Sequence, residues 1–186
     1  MRPTGAARTL FRIVEEEAER LNRIVGDLLA FARPSTPDLQ EAALARVADE
    51  AVASAVAQQG TPIEVVRAHD PALPEVRIDA RLVRQAIVNV AVNAAQAMVR
   101  GGRITVRTLR DDGAAVVEIE DDGPGIPTEV RERIFEPFFT TKATGTGLGL
   151  AVVRRIVEGH GGTVQVRPAP ERGTVFALRF PVERLP

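Results

Sequence analysis

Two glycine-punctuated segments set most of the limits on this chain: Glu120-Asp121-Asp122-Gly123-Pro124-Gly125-Ile126 and Gly145-Thr146-Gly147-Leu148-Gly149-Leu150. The first closes an apolar run and the second opens one. Upstream of both, Asn89 and Asn93 stand four apart in a stretch free of Pro and Gly. Glycine serves any tight turn, so either loop alone says little. In this order, however, the three signals describe a nucleotide site: a polar helix face, a carboxylate ahead of one glycine loop, and a second glycine loop at a helix start.

The rest of the chain narrows the alternatives. Its 186 residues suffice for one ordinary domain and an appendage. A net charge of −1 gives no attraction to nucleic acid or to an anionic membrane, so no nucleic-acid partner is expected. The absence of cysteine excludes disulfides, zinc-thiolate sites and thiol catalysis. No apolar run reaches the ~18 residues of a membrane span, and the N-terminus lacks the apolar core of a signal peptide. The expectation is a cytoplasmic region, whether its parent is soluble or membrane-attached. Without Trp or Tyr, the core falls to Leu, Val, Ile and the seven Phe.

Thr9 to Ala32 reads as one long helix. Leu10, Val14, Glu17, Leu21, Ile24, Leu28 and Phe31 follow heptad steps, with Glu17 interrupting an apolar seam that Ile13, Val25 and Leu29 widen. So broad a stripe needs a partner surface. Arg33-Pro34-Ser35-Thr36-Pro37 stops the helix, and the domain boundary falls there, dividing the chain into 1–34 and 35–186.

Beyond it, Leu39 to Gln59 reads as an alanine-rich helix ending at Gly60, Pro62 to Arg67 as a strand, Asp70 to Pro74 as a turn and Val76 to Ile78 as a strand stub. Asp79 is a good N-cap for a helix from Ala80 to Met98, ended by Gly101-Gly102. Arg103–Leu109 and Ala114–Glu120 form a hairpin around Asp111-Asp112-Gly113. A loop-rich stretch covers Asp121 to Gly147, followed by a helix from Leu148 to Glu158 and strands at Thr163–Val166 and Thr174–Phe180. This order predicts an α+β fold: a mixed sheet with helices on one face, preceded by one long N-terminal helix.

On the helix from Ala80, the positions Val83, Ile87, Val90, Ala91, Ala94 and Met98 form an apolar side, and Gln85, Asn89, Asn93, Gln96 and Arg100 the opposite one. Amide oxygens are neutral, hard ligands suited to Mg²⁺, which takes its other ligands from water and phosphate. The same face is equally that of a solvated helix, and the helix alone does not decide. A carboxylate at Asp121 suits the exocyclic amine of adenine and repels the carbonyl of guanine, while Gly123 and Gly125 let backbone approach a flat ring. An ordinary Asp-Gly turn fits this loop too. Gly145, Gly147 and Gly149 straddle a helix start, whose free N–H groups attract phosphate. The spacing is not that of a P-loop, and no βαβ unit surrounds it. Ile134 to Lys142 places three Phe before Thr140, Thr141 and Lys142; Phe usually goes to the core, but this sequel reads as the anchor of a mobile lid whose Lys142 reaches phosphate.

These residues resemble the ATP-binding domain of sensor histidine kinases. Asn89 to Asn93 is similar to the N box, Asp121 to Gly125 to the G1 box, Phe135 to Phe139 to the F box and Gly145 to Gly149 to the G2 box. Glu17 to Val25, continued through Phe31 to Pro34, resembles the second dimerisation helix of the nitrogen-regulation type. The resemblance implies a two-layer α/β sandwich of the Bergerat type, in the GHKL superfamily, that binds ATP and Mg²⁺. It implies Asn93 as metal ligand, Asp121 on adenine, and Asn89 and Lys142 in catalysis. Gly123, Gly125, Ile126, Phe135, Thr140, Thr141, Gly145, Thr146, Gly147, Leu148 and Gly149 complete the implied nucleotide contacts. The implied partners are a His-bearing dimerisation domain of the same protein, a response regulator receiver domain, and a second copy through the N-terminal helix.

In that family the phosphorylated His precedes an acidic residue on the first dimerisation helix. His69 is followed by Asp70, but Pro71 and Pro74 make that stretch an exposed turn; His160 reads as a helix C-cap before Gly161-Gly162. The phosphoacceptor is therefore missing here: either the sequence begins after it or the protein has lost it. The expected activity is transfer of the ATP γ-phosphate to that histidine. Two alternatives are a GHKL-type ATPase, related to gyrase and mismatch-repair enzymes, and a nucleotide-dependent interaction module. The ATPases carry a water-activating Glu where this chain has Asn89, which has no basic carboxylate. A serine kinase of the anti-sigma type fits the N-terminal helix and the Thr-Thr-Lys segment less well.

Overall fold

The computed structural model describes residues 10–15, 17, 18, 21, 25, 26, 28, 36–142 and 145–182. The described residues before 36 are helical. Leu10, Phe11, Ile13, Val14, Leu21, Val25 and Leu28 among them are 46–66% exposed. Seam residues Ile24 and Phe31, flanking Leu29 and the stop at Arg33 to Ser35 lie outside the described residues. Among the described residues no helix is long and apolar enough to cross a membrane.

From Gln40 the chain runs β1 (Gln40–Ala42), α1 (Leu44–Ala57), β2 (Ile63–His69), β3 (Val76–Ile78), α2 (Ala80–Ala97), β4 (Gly102–Asp111), β5 (Ala114–Asp121), α3 (Thr128–Arg131), a 3₁₀ turn (Arg133–Phe135), α4 (Gly149–Gly159), β6 (Thr163–Pro168) and β7 (Thr174–Pro181). β1 and β3 form a small antiparallel pair. The main sheet has the order β2-β4-β5-β7-β6, parallel between β2 and β4 and antiparallel elsewhere. This is the expected mixed sheet.

Alternation along the strands makes two layers. Ile104, Val106, Ala115, Val117, Ile119, Phe176, Leu178 and Phe180 are buried against the helices. α1 contributes Leu44, Val47, Ala48, Ala51, Val52 and Ala55 to the same core. The apolar side predicted for α2 is buried throughout, from Val83 to Met98. The alanines on the facing sides of α1 and α2 let the two backbones approach closely. The other sheet face carries cross-strand ion pairs, Arg107 with Glu120 and Arg167 with Glu118. Such pairs contribute only about 0–1 kcal/mol each, so burial of the apolar face holds the sheet.

The β4–β5 hairpin turns at Asp112 and Gly113, φ 44° and 75°, the two consecutive positive φ values that a type I′ turn requires. Asp79 caps α2 as expected, its Oδ1 accepting from the Leu82 N–H at 3.0 Å; an N-cap contributes about 0.5–2 kcal/mol. Its own N–H donates to His160 Nε2 at 3.0 Å, and the Asp38 N–H donates to its Oδ2 at 3.3 Å. His160 sits at the end of α4 as a C-cap, as predicted, with Nδ1 2.7 Å from the Ile156 carbonyl. With a donor at Asp79 and an acceptor at Ile156, Nε2 accepts and Nδ1 donates. Asp79 thus ties together the end of the linker, the start of α2 and the end of α4.

The stretch from Asp121 to Gly147 is loop-rich as expected, with α3 and the 3₁₀ turn inside it. Two expectations need correction. The helix predicted from Leu39 begins only at Leu44, because residues 40–42 pair with β3 and tertiary pairing outweighs a weak local propensity. His69 is not in an exposed turn. It ends β2 opposite Thr108, only 18% of its side chain is exposed, and its ring lies 3.1 Å from Thr108 Oγ1 and 3.2 Å from Asp49 Oδ1. The parallel ladder to β4 carries the strand two residues past the predicted end.

Candidate nucleotide site

A cavity of about 960 Å³ opens between α2, the end of β5 and the segment leading into α4. It is large enough for a nucleotide, at the upper end of small-molecule sites. One wall is the polar face of α2, turned here because the opposite face is core. Asn89, Asn93 and Gln96 all line it. The Asn89 side-chain amide donates to the Gly149 carbonyl at 3.1 Å, binding α2 to the start of α4.

Asp121 forms the floor. It is the last residue of the central strand β5, in register with Thr174 of β7, and only 5% exposed. Its Oδ1 accepts from the Gly123 N–H at 2.9 Å. Burial pushes its carboxyl above the ordinary aspartate value, opposed by the backbone amides of Gly123 and Thr174. A buried acceptor at the edge of a cavity fits a ligand that brings its own donor. The backbone around it is tight: Gly173, φ 104°, lies so close that a Cβ would fall 1.8 Å from the Asp121 carbonyl oxygen.

The segment between the two glycine loops divides its phenylalanines. Phe135 packs edge-on against Phe176 at 6.4 Å, Phe139 lies under the Arg133 guanidinium at 4.4 Å, and Phe138 is 66% exposed. Phe138 has φ 66°, and its N–H donates to the Gly147 carbonyl at 2.9 Å. Gly147, φ 69°, is pressed against that same residue, where a Cβ would fall 2.4 Å from the Phe138 carbonyl carbon. Positive φ at a non-glycine residue is strain of the kind found at functional loops.

Lys142 crosses the cavity. Its Nζ donates to Asn93 Oδ1 at 2.9 Å and to Gln96 Oε1 at 2.8 Å. Burial lowers its pKa by removing water from the ammonium. Two neutral amide oxygens therefore already converge on one cation. Among the described residues no cluster of His, Cys, Asp and Glu could hold a metal.

The structure brings Asn89, Asn93, Asp121, Gly125, Ile126, Thr140, Thr141, Lys142, Gly145, Thr146, Gly147 and Gly149 to this one cavity. Three expected contacts do not line it. Gly123 turns its N–H to Asp121 and borders a smaller cavity behind the loop. Phe135 is spent on Phe176, and Leu148 is 2% exposed beneath the start of α4. Four polar residues outside the expected set join the cavity: Gln58 and Gln59 just past α1, Gln96 and Thr174. Gln96 belonged to the polar helix face already noted, so its spacing was the signal. Thr174 had no local signal, because only β5–β7 pairing carries it to Asp121.

Residues 78–184 match the family of histidine kinase-, DNA gyrase B-, and HSP90-like ATPases. The sensor histidine kinase ZraS of Escherichia coli (strain K12) is 40% identical over 182 residues; the match covers 96% of this chain and 38% of that protein, so the chain spans about two fifths of its relative. Full-length ShkA in complex with AMPPNP superposes with TM-score 0.81 at 26% identity, covering all of this chain and 41% of that one. The histidine kinase ThkA in complex with the response regulator protein TrrA gives 0.77 at 25% identity, covering 98% and 53%. The chain belongs to the histidine kinase-, DNA gyrase B- and HSP90-like ATPase family, and within it is homologous to sensor histidine kinases.

Proposed function

We propose that this chain is the ATP-binding catalytic region of a two-component sensor histidine kinase, which passes the γ-phosphate of Mg-ATP to a histidine outside this sequence. The observation that carries the reading is the buried Asp121 carboxylate lining the same cavity as Asn93, Lys142 and the glycine start of α4. Asp121 takes the adenine amine, and Asn89 joins α2 to the phosphate loop. Asn93 offers Mg²⁺ a hard oxygen, which fits because that oxygen already faces a cation. Bound there, the metal neutralises triphosphate charge. Phosphoryl transfer needs chiefly positioning and charge neutralisation, which Lys142 and the free amides of α4 supply from the protein. ATP hydrolysis is disfavoured as the main reaction, because Asn89 is an amide with its nitrogen committed to Gly149.

The region from 35 onward is the catalytic domain and works in the cytoplasm, with a response regulator as the later phosphate acceptor; ThkA, a homologue by fold, is in complex with one. Residues 1–34 supply the second dimerisation helix. Mixing this chain with a separately made His-bearing helical hairpin and labelled ATP tests the reading. Acid-labile label on the hairpin, with slow release of inorganic phosphate, is the expected result. Rapid phosphate release without labelled hairpin overturns it in favour of an ATPase, and nucleotide binding without either reaction favours an interaction module.

The exposed helix seam leads to a further expectation. Burying one large aliphatic side chain contributes about 1.5–3 kcal/mol, and Leu10, Val14, Leu21 and Leu28 all stand open. Two copies pair through it, so light scattering shows concentration-dependent self-association. Leu21→Lys with Leu28→Lys abolishes that association and leaves ATP binding intact. A strictly monomeric parent at high micromolar concentration contradicts the pairing.

A further inference from the structure

The loop that presents Asp121 is bordered by space on both sides. Pro124 and Gly125 border the nucleotide cavity, while Asp122, Gly123 and Pro124 border a second cavity of about 320 Å³ floored by Met98 and rimmed by Arg100 and Arg172. Gly173 packs against Asp121 and Asp122, but around Gly123 and Pro124 the two cavities leave hydrogen bonds to fix the peptide. Asp122 is tied to β4, its Oδ1 accepting from the Arg103 N–H at 2.9 Å. Gly123 is pinned at both ends. Its N–H donates to Asp121 Oδ1, and its carbonyl accepts from Arg172 Nε at 3.1 Å. Arg172 comes from the distant β6–β7 turn, whose next residue, Gly173, is the one pressed against Asp121.

We infer that Arg172 is a positioning residue for base recognition: it holds the Gly123 carbonyl so that the Asp121 carboxylate keeps one oxygen on the loop and presents the other to adenine. The inference rests on the reading of Asp121 given above. Without the guanidinium, the peptide between Gly123 and Pro124 is free to swing into the smaller cavity, and the Gly123 N–H loses its alignment on Asp121. The groups assigned to the phosphates belong to other elements, α2 and the start of α4, and keep their places. The effect of removing Arg172 therefore falls on the base and not on the phosphates.

Calorimetric titration of the full chain with Mg-ATP, Mg-GTP and inorganic tripolyphosphate separates the base from the phosphates. Arg172→Ala is expected to weaken ATP about 3–10-fold, the range of one ordinary hydrogen bond because the guanidinium acts on the base only through Asp121, and to lower the ATP-to-GTP preference by the same factor. Tripolyphosphate binding stays within twofold. Arg172→Lys, which can still donate to the carbonyl, recovers part of the preference. An unchanged ATP-to-GTP ratio in Arg172→Ala overturns the inference, as does an equal loss of tripolyphosphate affinity, which marks a general structural role. Asp121→Asn in the same series keeps the two readings apart. If that variant loses the preference and Arg172→Ala retains it, only the role of Arg172 fails; if the unmodified chain binds ATP and GTP equally, the assignment of Asp121 fails with it.

Discussion

Asp121→Asn is expected to weaken ATP binding by 1–3 kcal/mol, or about 5–150-fold, while leaving the fold intact or firmer. The Gly123 N–H needs an acceptor, so the amide oxygen of Asn turns to it. The amide nitrogen then faces the adenine amine, donor against donor in a buried place. Stability moves the other way. Burial raises the Asp121 pKa, so the folded protein holds this proton more tightly than the unfolded chain does. Folding stability therefore falls as pH rises from the ordinary aspartate value through the raised one, and is fully present only below that window. Asn carries no such charge. Thermal melts of the nucleotide-free variant should show an unchanged or higher midpoint at neutral pH and a flatter acid-side pH dependence, while calorimetry shows the loss of ATP. ATP affinity of the unmodified chain should fall as pH drops into the same window, because the carboxylate is the form that accepts from adenine. A variant that binds ATP normally, or one that melts far below the parent, contradicts this account of Asp121.

Asn93→Ala should remove the metal dependence of nucleotide binding. Asn93 Oδ1 and Gln96 Oε1 share the Lys142 ammonium, and in the proposed reaction Asn93 yields its oxygen to Mg²⁺. Loss of a residue that merely orients a metal ligand costs about 10–100-fold in metal affinity, and loss of the ligand itself should cost no less. Binding of ATP with Mg²⁺ then falls to the level measured with a chelator, and transfer to the hairpin is lost. Adenosine, which lacks phosphate, should bind as before. If ATP binding by Asn93→Ala still strengthens on adding Mg²⁺, the metal is held elsewhere.

Much of this was legible in the residues because the decisive features are local. The Asp79 cap, the Asp112-Gly113 hairpin turn and the apolar side of α2 follow from short-range geometry, and each stands where spacing and turn chemistry put it. So does the polar face of α2, since one side of an amphipathic helix is fixed once the other is buried. The start of α1 was misread for the opposite reason. Residues 40–42 form a strand only because β3 lies beside them, and nothing in Gln40-Glu41-Ala42 announces a partner 36 or so positions on. His69 escaped the turn suggested by its proline-rich sequel through the β2–β4 ladder, another long-range pairing.

By itself, then, the sequence determined the longer helices and strands, though not β1 or α3, together with the amide face of α2, the carboxylate ahead of its glycine loop and the glycine start of α4, all set by contacts within a few residues. Tertiary structure alone decided that Asp121 is buried against Thr174, that Arg172 reaches Gly123, and that Lys142 lies on Asn93 and Gln96. These contacts join positions about 50 residues apart. Strand pairing and helix packing bring them together, and no periodicity or turn signal encodes such an encounter.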